Sequence, residues 1–280
     1  MDERLVDAAR EALAEAGVST GALDWIDEGD AIDLQFDGDN AKARAALESL
    51  DRVDIAIRAG ERVRVRLFVA DMDSTMIGQE CIDELADYAG VKDAVAAITE
   101  RAMQGELDFA GALAERVALL KGLDQSVIAD CLRERIRPNP GAATLVATLK
   151  RHGALTLLVS GGFTDFVGPI GEQLGFDRIK ANRLGVEQGR LTGATVGAIV
   201  DAQAKRRVAQ ETLAELGAEA DASVAIGDGA NDMPMVELAG FGVGYRPKPA
   251  LAAVADGIIR RHDLTALLWM QGIPRRDWII

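Results

Sequence analysis

Histidine and cysteine are nearly missing from this sequence, with two of each among 280 residues. A metal centre built from soft or imidazole ligands therefore lacks its donors. Cys81 and Cys131 each sit in a helical pattern among apolar neighbours, which reads as reduced core thiols rather than a disulfide or a metal pair. Nowhere does an apolar run approach the roughly 20 residues of a membrane span. The first ten residues, MDERLVDAAR, are acidic and amphipathic, without the basic-then-apolar pattern of a secretory leader. Cytoplasmic residence is the expectation. Net positive charge is absent too: the formal balance is −14, which argues against nucleic acid or an anionic membrane as a partner. What remains, 49% apolar and 27% charged residues, is the composition of a globular chain. Its length suits one large domain with a small companion.

Residues 1–62 read as a small α+β segment. Asp2–Ala16 forms an amphipathic helix, Ala31–Phe36 a strand, residues 40–50 a second helix and Val53–Ile57 a second strand. Beyond it, from residue 63 to 280, strand and helix alternate. Leu67–Ala70 is an apolar run ending at Asp71, as in a strand buried on both faces. Further strands are expected at Ala154–Val159, Ser223–Ile226, Gly240–Val243 and Gly257–Ile259. Helices are expected from Phe163, Asp201 and Asn231, with a hairpin-like stretch around Glu187–Arg190. This alternation predicts an α/β fold, a doubly wound parallel sheet with helices on both faces. Residues 78–137 show helical periods broken at Gly90, Gly105 and Gly122, and no convincing strand. They are read as a helical cap inserted into the core.

Three of the buried strands end in polar, glycine-containing loops: Asp71-Met72-Asp73-Ser74-Thr75, Ser160-Gly161-Gly162 and Gly227-Asp228-Gly229-Ala230-Asn231-Asp232. Sites in open α/β sheets form beyond the carboxyl ends of the strands. A parallel sheet thus gathers Asp71, Asp73, Asp228 and Asp232 in one crevice, where carboxylates repel unless a cation intervenes. With few soft ligands available, the cation expected is magnesium, which accepts one or two carboxylates and leaves room for water and phosphate. Singly, each loop is as well explained by a helix cap or a turn; it is their joint appearance that marks a site. Two basic residues stand out on apolar helix faces. Lys205 shares its side with Val208, Ala209 and Thr212. Arg116 shares its face with Phe109, Ala112, Leu113 and Leu120, where a guanidinium requires a carboxylate or phosphate partner. Glu80, in the first turn of its helix, reads equally well as a dipole-favoured carboxylate.

The run Asp71-x-Asp73-x-Thr75 after a buried strand resembles the signature of the haloacid dehalogenase-type phosphatases. Ser160, Lys205 and Gly227-Asp228-Gly229-x-Asn231-Asp232 follow in that family's order, over residues 67–245. The resemblance implies that Asp71 is a phosphate-attacking nucleophile and Asp73 a general acid and base. It implies Mg2+ held by Asp71, the backbone carbonyl of Asp73, and Asp228, with Asp232 steadying its waters. Ser160, the Gly161 amide, Lys205 and Asn231 would bind the phosphate end of the substrate. Glu80 would meet an ammonium, Arg116 a carboxylate, and Met103 with Phe109 would form the cap's apolar wall. This pocket resembles that of members acting on O-phospho-L-serine, which implies release of L-serine and phosphate as the last step of serine biosynthesis. Rival readings are transfer of the phosphoryl group to another alcohol such as homoserine, and a silent phosphoserine-binding protein. The segment 1–62 resembles a degenerate ferredoxin-like or ACT-like module, suited to packing or to homodimer contacts.

Overall fold

The computed structural model describes residues 3–103 and 106–280; the side chain of Met103, placed by sequence on the cap wall, lies outside the described residues. The N-terminal segment comprises α1 (Glu3–Glu15), β1 (Ser19–Asp27), β2 (Ala31–Asp37), α2 (Asn40–Glu48) and β3 (Ile55–Ala56). Strands β1 and β2 form an antiparallel pair around a turn at Gly29, whose φ of 83° suits a residue without a Cβ. Helix α2 is capped by the Asp39 carboxylate, which accepts from the amides of Ala41 and Lys42 at 2.8 and 3.0 Å. Leu13, Val18, Ala43 and Ile57 make a small core of their own. The strand Ser19–Asp27 differs from the sequence reading, which placed a helix at Asp2–Ala16 and no strand before Ala31. Its residues are exposed or half-buried throughout and its pairing shifts register twice, so no alternation of apolar and polar residues announces it.

Strand β4 (Leu67–Ala70) opens the main sheet. Helices α3 (Cys81–Tyr88), α4 (Lys92–Met103), α5 (Phe109–Ala118) and α6 (Ser126–Arg135) form the cap. The core resumes with α7 (Ala142–Arg151), β5 (Leu155–Phe163), α8 (Thr164–Leu174), β6 (Arg178–Glu187), β7 (Arg190–Val196) and α9 (Ala202–Leu216). It ends with β8 (Ser223–Gly227), α10 (Met233–Leu238), β9 (Phe241–Tyr245), α11 (Pro249–Ala252), β10 (Gly257–Ile259) and α12 (Ala266–Met270). The eight-stranded sheet runs β3-β10-β9-β8-β4-β5-β6-β7. Its inner six strands are parallel, and β3 and β7 join the two edges antiparallel. After β4 the chain builds outward through β5 and β6, then returns to the other side of β4 with β8. That reversal opens a crevice above β4, the usual ligand position in such sheets.

Both faces of the sheet are covered. Phe68, Ala70 and Leu158 belong to one apolar cluster, while Leu67, Val69, Leu157 and Ala225 belong to the other. This is the two-faced burial that the unbroken apolar run of β4 predicts. Two hydrogen-bonded linkers carry the cap: Gly78 N donates to Arg137 O at 3.3 Å and Asn139 N to Met76 O at 2.8 Å. Away from them, residues 122–125 pair with the β6–β7 hairpin. Gly122 N donates to Leu191 O at 2.8 Å, Leu191 N to Leu123 O at 2.9 Å and Gln125 N to Gly189 O at 2.9 Å. Among the described residues, no helix is long and apolar enough to cross a membrane.

Candidate active site

Beyond β4 the chain turns through Met72–Met76, a tight loop in which Ile77 N donates to Met72 O at 3.0 Å. Ser74 adopts φ 54°, ψ 5°, the left-handed region that is unfavourable for a side chain other than glycine or asparagine. Its hydroxyl donates to Glu80 Oε1 at 2.7 Å. The loop thus sends Asp71 and Asp73 in different directions. Asp71 faces β8 and α9. Asp73 faces α3 and β5, accepting from Cys81 N at 3.1 Å and from Ser160 Oγ at 3.3 Å.

Lys205 explains its own place on an apolar helix face. It is 1% exposed and its ammonium donates to Asp71 Oδ1 at 2.5 Å and Asp232 Oδ1 at 2.7 Å. Asp232 also accepts on Oδ2 from the amides of Asp228 and Gly229, at 3.1 and 3.2 Å, and so fixes the loop after β8. Asn231 Nδ2 reaches Asp232 Oδ1 at 3.3 Å. Asp71, Asp228 and Asp232 each bring a carboxylate oxygen within 4.8 Å of the others, in a buried group that could hold a metal ion. Hard oxygen donors at this spacing fit a divalent cation such as magnesium. The Asp73 carboxylate is not in that group.

The electrostatics follow from burial. Desolvation, and then the charge of Asp232, push the Asp71 carboxyl well above its ordinary range, with Lys205 pulling it back. Desolvation also raises Asp73, against its hydrogen bonds from Cys81. Burial alone would depress the Lys205 ammonium; the charges of Asp232 and Asp71 outweigh it, and the group stays protonated.

The loop after β5 supplies the opposite wall. Its ladder with β6 breaks between Val159↔Lys180 and Phe163↔Asn182, so Ser160–Gly162 bulges out of the regular pairing. Both glycines are forced by close approach. A Cβ on Gly162 would lie 2.8 Å from Asp73 Oδ2, and one on Gly161 3.0 Å from Phe109 Cζ. Phe109, the first residue of α5, therefore brings the cap down onto the bulge. Asn182, which the sequence reading did not single out, steadies this bulge: its amide donates to Gly161 O at 2.8 Å and its Oδ1 accepts from Val200 N at 2.7 Å.

The cap contributes Glu80 and Arg116. Desolvation in the cleft, then the charge of Asp73, raise the Glu80 carboxyl to about 7, although the residue keeps an open surface. Arg116 is half-buried and donates Nε to Ala112 O at 3.2 Å. Desolvation lowers its pKa; the nearest acidic influences are Asp83 and Glu80. Among the described residues no ion pair within the cap supplies the partner that its position demands. The structure also adds Lys248, whose ammonium lies 3.0 Å from Asp228 Oδ2. It sits between two prolines in a polar turn, with no local pattern to mark it.

Residues 68–237 match the model of the haloacid dehalogenase-like hydrolases. A phosphoserine phosphatase of Polaromonas sp. is 46% identical over 208 residues, which cover 72% of this chain and 88% of that protein. One from Streptomyces coelicolor is 45% identical over 227 residues, covering 80% of this chain. The chain spans only 55% and 60% of the length of its curated relatives from Streptomyces coelicolor and Archaeoglobus fulgidus. Among solved structures, a substrate-bound phosphoserine phosphatase superposes with a TM-score of 0.69 at 38% identity, over 75% of this chain and 99% of that one. A probable phosphoserine phosphatase from Vibrio cholerae gives 0.79 at 33% identity, over 97% of this chain and 83% of that one. With its sheet, cap and carboxylate loops in this arrangement, the chain belongs to the haloacid dehalogenase-like hydrolases.

Proposed function

We propose that this chain is a magnesium-dependent phosphoserine phosphatase, acting in the cytoplasm on O-phospho-L-serine in the final step of serine biosynthesis. The observation that carries the reading is the division of labour between two neighbouring carboxyls. Asp71 is tied to Lys205, which also holds Asp232, and Asp73 is tied to Ser160 and the cap entry. Relatives named phosphoserine phosphatase support the substrate.

In this mechanism the free Asp71 oxygen attacks phosphorus, and the bond from phosphorus to the serine oxygen breaks. Asp73, placed between Ser160 and the cap entry, gives a proton to the leaving oxygen. Water then attacks the aspartyl-phosphate, Asp73 takes its proton, and phosphate departs with Asp71 restored. Lys205, Ser160 and the Gly161 amide neutralise the phosphoryl oxygens, and Asn231 lines the same end. Magnesium, when held by Asp71, Asp228, the Asp73 carbonyl and Asp232 through water, would offset the remaining phosphate charge. Residues 78–137 act as the cap, with Phe109 excluding water; residues 1–62 act as an attached module on the core of residues 63–280. Phosphate release from O-phosphoserine, with and without magnesium and beside glycerol phosphate, tests the reading. Magnesium-dependent preference for phosphoserine supports it, and turnover of the other ester alone discards the substrate.

Two predictions concern Glu80 and Arg116. Arg116→Ala should lower kcat/KM for O-phosphoserine about 100-fold, the scale of a desolvated charge-assisted hydrogen bond. On a phosphate ester lacking a carboxylate the loss should be less than about threefold. Equal losses would assign Arg116 to structure. Glu80 binds the substrate ammonium only as a carboxylate, and its pKa of about 7 belongs to the metal-free site. Asp73 and Asp228 are among the charges that raise it, so magnesium moves the midpoint below 7. KM for phosphoserine should therefore climb as pH falls through that midpoint, by up to about tenfold per pH unit. Glu80→Gln should flatten the profile, and an unchanged slope in that variant would remove Glu80 from ammonium binding.

A further inference from the structure

Five carboxyl groups, Asp71, Asp73, Glu80, Asp228 and Asp232, crowd the crevice, and two lysines answer them. The two lysines are unlike. Lys205 is enclosed, with its side chain 1% exposed, and it bonds Asp71 and Asp232. Lys248 enters from the rim with its side chain 63% exposed, and pairs with Asp228, which is itself only 8% exposed. Its backbone is anchored beside the loop, since Lys248 N donates to Asp228 O at 2.8 Å. The ammonium can therefore swing on four rotatable bonds while its base stays fixed.

We propose that Lys248 is a displaceable internal cation: it occupies Asp228 Oδ2 while the carboxylate group lacks a metal, and gives Asp228 up when a divalent ion binds. The inference rests on the metal reading given above. Asp228 has one ammonium on one oxygen, and a dication brought to the same carboxylate repels that ammonium across a few ångströms. Lys205 cannot yield, because leaving would strand two buried carboxylates. Lys248 can, since most of its side chain is already in water and Glu80 is the next acidic group acting on it. The exchange keeps the empty site tolerable and makes metal uptake competitive with a built-in cation.

The test is calorimetric titration of the full chain with magnesium, and with manganese as a tighter-binding probe, together with thermal unfolding in chelator. Lys248→Met should take up metal at about fivefold lower concentration than wild type, because the competing ion pair is gone. In chelator it should unfold several degrees below wild type, and saturating magnesium should close that gap. Lys248→Gln, which keeps polarity without charge, should behave the same way. An unchanged or weaker metal midpoint in both variants overturns the proposal and makes Lys248 a fixed support of Asp228. A wild-type chain that takes up neither metal overturns the metal reading and this proposal with it.

Discussion

Asp71→Asn should lower phosphate release from O-phosphoserine by about 10⁴-fold or more, the scale on which removal of a catalytic nucleophile acts. The amide keeps the shape of the side chain and can still accept from Lys205 through its oxygen, but it cannot attack phosphorus to give an acyl phosphate. The substitution should cost no stability in the metal-free protein. Asp71 is held above its ordinary carboxylate range by desolvation and by Asp232. The sign follows from linkage: a group whose folded pKa is raised stabilises the fold below its unfolded value, and that contribution fades as pH rises through the folded value. At neutral pH the Asp71 charge is therefore one that the fold tolerates, and an uncharged amide relieves the repulsion with Asp232. In chelator, Asp71→Asn should unfold at or above the wild-type temperature. A variant that is both inactive and less stable would mean that lost structure explains the lost turnover. Retained activity above about 1% would require a different nucleophile.

The positions from which these effects arise were readable to different depths. The carboxylate loops were legible because β4 is an unbroken apolar run and β8 nearly one, and a buried strand that leads into aspartate leaves few bland explanations once it happens repeatedly. Lys205 and Arg116 were legible as anomalies, since charge on an apolar helix face demands a partner. The structure supplies one for Lys205, in Asp71 and Asp232; for Arg116, among the described residues, it gives a backbone carbonyl. Cys81 illustrates the opposite case. Its burial was evident from its neighbours, but the hydrogen bond its backbone N–H donates to Asp73 depends on where the loop Met72–Met76 turns, which a left-handed Ser74 decides. The exposed strand β1 left little periodic signal, because solvent rather than a core takes much of its surface, whereas the turn of the β6–β7 hairpin was marked by Gln188-Gly189. Lys248 and Asn182 act across long sequence separations from polar segments. Nothing local distinguishes them from solvated surface.

Lys205→Met should produce the largest combined effect on stability and turnover. The ammonium is fully enclosed and bonds Asp71 at 2.5 Å and Asp232 at 2.7 Å, so its removal leaves two like charges close together without a counterion. Breaking a buried pair from one side costs on the order of 3–5 kcal/mol. For a chain of this size that corresponds to a fall of roughly 10 °C in the unfolding temperature. Asp232 retains the amides of Asp228 and Gly229, so Asp71 carries more of the penalty. Because the cost is electrostatic, it should shrink as pH falls and the orphaned carboxyls take up protons: the deficit at pH 5 should be smaller than at pH 8. Magnesium should restore part of the stability by supplying another cation to the same carboxylates. It should not restore turnover, which we expect to stay down by about 10³-fold, because the charge that Lys205 places on the phosphoryl oxygens has no substitute at that position. Differential scanning at the two pH values, with and without magnesium, separates these components. An identical deficit under all four conditions would mean that Lys205 is held for the packing of its aliphatic stem, and the charge network around Asp71 would then contribute nothing to the fold.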